Sequence, residues 1–323
     1  MVLKAPFPWF GGKSRVAHIV WERFGDVPNY VEPFFGSGAV LLGRPTKPRI
    51  ETVNDLDCMV ANFWRALQAA PEELAAACDW PVNEADLTAR HLWLCQQAEF
   101  RERMKSDPDY YDVKIAGWWV YGISAWIGGG WCSVQLPSAG NGNTDTHAHC
   151  RRPHLNRNTG VHRQIERGAL GHTDYLLDYF DVLAQRLRGV RVCCGDWERV
   201  CGPTPTIKLG ITGVFLDPPY SAEADRDGDI YAVDDLQVAK RVRDWAVGHG
   251  DNPDMRIALC GYEGEHEMPD SWECVAWKSH GGYGTISQAP DSRGRQNSKR
   301  ERIWFSPHCL RPQKSIFNAT IAI

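Results

Sequence analysis

The chain has no CxxC pair, no internal repeat, no leader-like N-terminal segment and no apolar run long enough to span a membrane. Without paired CxxC units, its 11 Cys spell neither a zinc ribbon nor a dithiol redox motif. Cys193 and Cys194 sit side by side in an apolar run, as buried strand thiols do. These absences point to a reduced, cytoplasmic compartment and no membrane partner. An excess of positive charge is also missing. Lys and Arg number 36 against 40 Asp and Glu, a net charge of −4. A protein that grips nucleic acid with its whole surface is more basic than this, so any such contact must be local.

Against those absences, 323 residues with 43% hydrophobic content are enough for one large α/β domain with an insertion, or for two modest domains. Fourteen Trp is a high count; such rings build cores, and they also stack on bases and adenosine. Two local basic patches stand out. Residues 129–172 hold Arg151, Arg152, Arg157, Arg163 and Arg167 against Asp145 and Glu166. Residues 291–302 hold Arg293, Arg295, Lys299, Arg300 and Arg302 against Asp291 and Glu301. Either patch can be a solvated loop or a phosphate-binding surface.

The local pattern predicts a helix from Ser14 to Phe24 with Ser14 as its cap, then a short buried strand over Tyr30–Phe34. Gly36-Ser37-Gly38 follows, then a short apolar helix from Ala39, a strand over Ile50–Asp55 and a helix over Met59–Ala69. This β–Gly-loop–α–β order opens a doubly wound nucleotide-binding sheet. Helices are expected from Pro71, over Asp86–Met104 and over Tyr111–Ile127. From Gly128 to His172 the chain turns rich in Gly, Asn, Arg and His, a stretch too long for an idle loop. Regular structure resumes with a helix over Tyr175–Leu187, strands over Val190–Gly195 and Gly213–Asp217, a helix over Asp234–Val247 and a strand over Arg256–Cys260. Short strands are expected near Trp272–Trp277, Thr285–Ser287 and Arg302–Ser306.

The most specific feature is Asp217-Pro218-Pro219-Tyr220 after the apolar strand Val214-Phe215-Leu216. Two prolines cannot donate to a ladder and stiffen the turn at the carboxyl edge of the sheet, where open α/β folds bind ligands. The Asp217 carboxylate and the Pro218 carbonyl offer two acceptors, and Tyr220 offers a ring. An exocyclic base amine is a poor nucleophile because its lone pair is delocalised. Two acceptors on its N–H groups favour a tetrahedral nitrogen, and a ring can hold the plane of the base. An ordinary strand-to-turn corner is the plainer alternative.

Together the motifs resemble the Dam-type (Asp-Pro-Pro-Tyr) class of DNA adenine-N6 methyltransferases. Trp9-Phe10-Gly11-Gly12-Lys13 resembles the family's Gly-Gly-Lys segment, and Glu32-Pro33-Phe34-Phe35-Gly36-Ser37-Gly38 its cofactor loop. Asn54-Asp55 resembles the acidic end of its second strand, and Gly195-Asp196-Trp197 the pair ahead of Asp217-Pro218-Pro219-Tyr220. The motifs follow family order from residue 9 to residue 220. The resemblance implies a Rossmann-like α/β sheet with helices on both faces, S-adenosylmethionine as cofactor, and a flipped adenine in double-stranded DNA as substrate. It assigns catalysis to Asp217, Pro218, Pro219 and Tyr220. It assigns the cofactor to Trp9, Gly12, Lys13, Glu32, Phe34, Gly36, Gly38, Asp55, Asp196 and Trp197. Gly36 and Gly38 would let backbone approach the methionine moiety. Asp55, which lies 23 residues after Glu32, would accept from the ribose hydroxyls. Asp196 and Trp197 would bind the adenine ring of the cofactor, and a phage or prophage origin fits the family's distribution.

The implied organisation is a cofactor part over residues 1–70, a helical and loop-rich target-recognition insertion over 71–172, and the rest of the catalytic domain over 173–323. Arg151, Arg152, Arg157, Arg163, Arg293 and Arg295 are the candidate DNA contacts. The insertion lacks the segments associated with GATC readers; it has Trp126-Ile127-Gly128-Gly129-Gly130-Trp131-Cys132 instead, so site-specific methylation at another sequence and relaxed specificity stay equally open. His147, His149, Cys150, His154 and His162 cluster without a standard zinc spacing, and no metal is expected. Three other readings remain at this stage: cytosine N4 as the target, RNA as the substrate, and a DNA-binding relative without catalysis. An Asp at position 217 favours adenine.

Overall fold

Short apolar runs closed by Asp, Glu or Gly become the strands of one sheet. The computed structural model describes residues 3–9, 11–47, 49–126, 130–132, 160–162, 173–220, 237–277 and 300–312. β1 (Asn29–Glu32), β2 (Ile50–Asp55), β3 (Val190–Cys194), β4 (Thr212–Leu216) and β5 (Met255–Tyr262) pair in parallel. β7 (Glu301–Phe305) runs antiparallel between β5 and β6 (Glu273–Ala276). The order β3-β2-β1-β4-β5-β7-β6 is a mostly parallel, doubly wound sheet. The chain leaves β1 toward β2 and β3, then returns to β4 on the other side of β1. The point where strand order reverses therefore lies between β1 and β4, where folds of this kind open a ligand crevice.

Both faces of the sheet are covered, so the central strands are apolar almost throughout. Every residue of β4 is buried. Alternation divides the core in two. Tyr30, Phe215, Cys260, Ile303 and Phe305 face one layer, with α1 (Ala17–Phe24) and α3 (Cys58–Ala69). Val31, Val214, Leu216, Leu259 and Trp304 face the other, with α9 (Val238–His249).

Between β2 and β3 the chain inserts most of its helices. α3 leads into α4 (Pro71–Cys78), α5 (Glu84–Cys95), α6 (Ala98–Ser106) and α7 (Val113–Ala125), and α8 (Thr173–Leu187) returns to the sheet. Leu74 of α4 and Trp119 of α7 join the same apolar core as Phe63 and Trp64 of α3, so packing is continuous across residue 71. Expected and observed elements differ in two instructive ways. Ser14 does not cap the first helix, which starts at Ala17 after the Val16 and Ala17 amides turn onto the Lys13 carbonyl. The single helix expected over Asp86–Met104 breaks at Gln96 and Gln97, where the Ala98 amide turns back to the Gln96 carbonyl. The strand expected near Thr285–Ser287 lies outside the described residues. Among the described residues no helix is long and apolar enough to cross a membrane.

Candidate active site

The carboxyl ends of β1 to β4 and the loop over residues 9–13 enclose a cleft at the β1/β4 reversal. It holds about 1020 Å³ of empty space, counting its open mouth. One end is lined by Trp9, Lys13, Asp217 and Pro219, the middle by Glu32, Phe34, Gly36 and Asp55, and the other end by Asp196, Trp197 and Arg241. Segments far apart in the chain thus meet in one crevice.

Two tight turns form the middle of the cleft. After β1 the backbone takes φ of +47° at Gly36 and +67° at Gly38. The Gly36 amide donates to Asp55 Oδ2 at 2.9 Å, and its carbonyl accepts from the Trp64 indole at 2.9 Å. Close packing also requires glycine at both positions. A Cβ on Gly36 would strike the Trp9 indole, and one on Gly38 would meet the Phe35 ring at 2.8 Å. Trp9 itself lines the cleft and packs on Phe7 and Trp119. Gly12 closes the preceding turn by donating to the Trp9 carbonyl at 3.2 Å.

Asp55 also accepts from the Asp57 amide at 2.9 Å. Burial, then the Asp57 charge, push its carboxyl up to about 7. Beside it, Asn54 donates to the Pro33 carbonyl at 3.1 Å and the Gly195 carbonyl at 2.9 Å, tying together the loops after β1 and β3. Glu32 at the end of β1 is buried and accepts from the Tyr30 hydroxyl at 2.8 Å; burial raises its carboxyl well above the usual range.

At the far end, Asp196 is exposed and caps a short 3-10 turn, accepting from the Glu198 amide at 2.9 Å. Trp197 is buried between Phe34, at 6.2 Å between ring centroids, and Trp245. Its indole N–H has no hydrogen-bond partner among the described residues. The Arg241 guanidinium lies 5.9 Å above the Trp197 ring.

The chemistry concentrates at the other end. The Asp217 side chain is 20% exposed, and its Oδ1 lies 2.8 Å from Lys13 Nζ. Lys13 is buried and also donates to the Gly11 carbonyl at 2.8 Å and the Tyr220 hydroxyl at 3.1 Å. These three acceptors match the three protons of its ammonium. Burial alone would lower the Lys13 ammonium, but Asp217 and Glu301 outweigh it and hold it charged well above the usual lysine range. Burial raises the Asp217 carboxyl, opposed by Lys13. The neighbouring Cys260 thiol helps to lower the Asp217 carboxyl, and Asp217 raises the thiol in turn.

Tyr220 departs from the expectation of a free stacking face. It is 8% exposed, lies edge-on to Tyr262 at 4.5 Å, and donates its hydroxyl proton to Glu301 Oε2 at 2.7 Å. Pro219 lines the cleft, and Pro218 is buried behind it. Sequence reasoning missed Glu301, which it counted only as a countercharge in a basic patch. The available signal was strand alternation, since Glu301 shares a face with Ile303 and Phe305. The arginines Arg151, Arg152, Arg157, Arg163, Arg293 and Arg295 lie outside the described residues, as do His147, His149, Cys150 and His154. His162 is buried, its Nε2 2.9 Å from the Tyr121 carbonyl oxygen.

A sheet of this order with a crevice at the β1/β4 reversal is the Rossmann-like methyltransferase fold. Residues 9–114 match the family model of the D12 class N6 adenine-specific DNA methyltransferases, which agrees with the resemblance to the Dam-type class. The matched stretch carries Lys13, Glu32, Gly36, Gly38 and Asp55 and ends before Asp217. No curated protein matches the chain.

Proposed function

We propose that the protein transfers the methyl group of S-adenosylmethionine to the N6 amine of an adenine flipped out of double-stranded DNA. The observation that carries this reading is the position of Asp217. It ends a buried strand at the reversal point, it opens onto the cleft, and one of its carboxylate oxygens is anchored by a buried ammonium. The lining of the cleft fits the cofactor's chemistry. Asp55 offers a carboxylate to a diol, and Phe34 with Trp197 offers an apolar wall for a purine. S-adenosylmethionine supplies an electrophilic sulfonium methyl.

The chain's own residues prepare the nucleophile. A stacked and paired base hides its amine, so the base must leave the duplex. Asp217 and the Pro218 carbonyl then accept its two N–H bonds and direct the nitrogen lone pair away from the ring. The two prolines fix that acceptor pair, so the rate comes from positioning and from dipoles set before the substrate arrives. No cysteine is needed as a nucleophile. Residues 71–172 serve target recognition in this reading. In support, Trp119 of α7 packs on Phe7 and Trp9 at the cleft wall, so α7 stands beside the site.

The test is methylation-sensitive sequencing of DNA from a methylation-free host expressing the chain, repeated with Asp217→Ala. N6-methyladenine in one sequence context is expected with the native chain. Asp217→Ala is expected to leave none while still binding S-adenosylmethionine in calorimetry. Methylated cytosine, or near-normal adenine marking by Asp217→Ala, would overturn the reading.

A further inference from the structure

Four polar side chains from three segments meet: Lys13 from the N-terminal loop, Asp217 and Tyr220 from the turn after β4, and Glu301 from β7. The proposed acceptor role uses only Asp217, which leaves the buried carboxylate of Glu301 to be explained. It is 4% exposed, and burying a carboxylate is costly unless it is well bonded. Its Oε2 accepts from the Tyr220 hydroxyl at 2.7 Å, and that hydroxyl in turn accepts from Lys13 Nζ at 3.1 Å. Tyr220 also stands 3.5 Å from Asp217 Oδ1. A phenol has one proton to give. While Glu301 holds that proton, Tyr220 cannot donate it to Asp217.

We propose that Glu301 is a positioning residue for methyl transfer: through the Tyr220 hydroxyl it fixes Lys13 against Asp217, and its charge keeps Asp217 a strong acceptor for the substrate amine. Two effects combine. Orienting the phenol toward Glu301 leaves the Asp217 carboxylate free for the incoming N–H. Sharing the single Lys13 ammonium between two carboxylates weakens its hold on each, so Asp217 keeps more electron density. The electrostatics agree, since Asp217 and Glu301 both raise Lys13, and Lys13 lowers both of them. The inference rests on the reading of Asp217 as the amine acceptor.

Among the described residues, few titratable or charged groups surround this network. Cys260 and Tyr262 face it from β5, with Glu265 beyond, and Glu32 acts on Asp217's side from β1. Burial raises Tyr220, Cys260 and Tyr262, the last to about 12, so all three stay protonated between pH 5 and 9. Arg300 precedes Glu301 in the chain, and Arg302 follows it on β7 and pairs with Glu263 at 2.8 Å.

The test compares native enzyme, Glu301→Gln, Glu301→Asp and Glu301→Gln in a Tyr220→Phe background. Rates are followed from pH 5 to 9, and S-adenosylmethionine affinity is measured by calorimetry. Glu301→Gln keeps an acceptor for Tyr220 and removes the charge. It is expected to lower kcat about ten-fold with the DNA KM and cofactor Kd within two-fold. Removing a negative charge makes Asp217 easier to ionise, so the acidic limb of the kcat profile should move down by about one pH unit. Glu301→Asp retains the charge and should keep the native limb. In the Tyr220→Phe background, Glu301→Gln should cost less, because the hydrogen-bonded link is already cut, but it should still move the limb, because the charge acts through space. An unshifted limb in Glu301→Gln, an equal shift in Glu301→Asp, or additive losses would overturn the inference. Normal transfer by Asp217→Ala, which removes the acceptor, would instead overturn the acceptor reading beneath it.

Discussion

Replacing Lys13 by Met should cost stability in a way that depends on pH. Lys13 is buried, and it is the ammonium that faces both Asp217 and Glu301. Removing one partner of a buried pair costs about 3–5 kcal/mol, because the remaining charge is left uncompensated. Asp217 keeps 20% of its side chain exposed, so the lower end, about 3 kcal/mol, applies here. At roughly 2.1 cal/mol/K of unfolding entropy per residue, a chain of 323 residues has about 0.7 kcal/mol/K, and the melting temperature should fall by about 4 °C. The pH dependence follows from which groups lose a neighbour. In the native protein the raised Lys13 contributes stability that is fully present below pH ~10 and is lost only above it, so it is constant between pH 6 and 8. In Lys13→Met, Asp217 and Glu301 rise further, since Lys13 had held both down. The folded variant then binds more protons than the unfolded chain in that window, and its stability declines as pH rises. Each unit by which a carboxylate is raised is worth about 1.4 kcal/mol, so the deficit at pH 8 should shrink by roughly that amount toward pH 6. Calorimetric melts of both proteins at pH 6, 7 and 8 measure this directly. A deficit that is constant, or that grows toward acid, would refute the pairing.

Asp55 gives a second pH signature. With its carboxyl near 7, S-adenosylmethionine should bind progressively more weakly below that pH, approaching ten-fold per unit, because the ribose hydroxyls donate to the ionised form. Asp55→Asn should bind weakly throughout and lose the dependence; titration calorimetry from pH 6 to 8 reads both, and a flat native profile would speak against the assignment. Gly36→Ala must place a Cβ at φ of +47° against the Trp9 indole. The backbone alone costs about 1–2 kcal/mol, and displacing Trp9 should weaken cofactor binding at least ten-fold. Unchanged affinity would mean that Trp9 does not shape the cleft.

Much of the fold was legible because strands and helices carry local signals. The strands at Ile50–Asp55 and Val190–Cys194 were bounded by their own sequence, and the Gly36–Gly38 turn announced the nucleotide-binding opening. What local pattern could not supply was the partner of each polar group. At the glycines the fold adds a packing reason that local pattern does not carry: a Cβ on Gly36 or Gly38 would meet Trp9, Phe35 or Trp64. The break at Gln96 and Gln97 was hidden because neither residue disfavours a helix, so the chain turns there without a breaker in its sequence.

The same logic explains why the polar network was out of reach while its centre was not. Asp217 could be found from its neighbours, since two prolines after a buried strand leave few places for the carboxylate to go. Lys13, Tyr220 and Glu301 are related only through the sheet. Tyr220 lies 207 residues from Lys13 and 81 from Glu301. Their meeting depends on β7 inserting antiparallel beside β5, which pairs Glu301 with Tyr262 and turns its carboxylate toward Tyr220. Had β7 joined in the opposite register of faces, Glu301 would point to the α9 side and Trp304 to the cleft side. A basic stretch in sequence is therefore, in space, a strand that delivers one buried acid. That acid takes the Tyr220 proton and shares the Lys13 ammonium, both of which would otherwise serve Asp217 alone, and charge counting along the chain gives no sign of it.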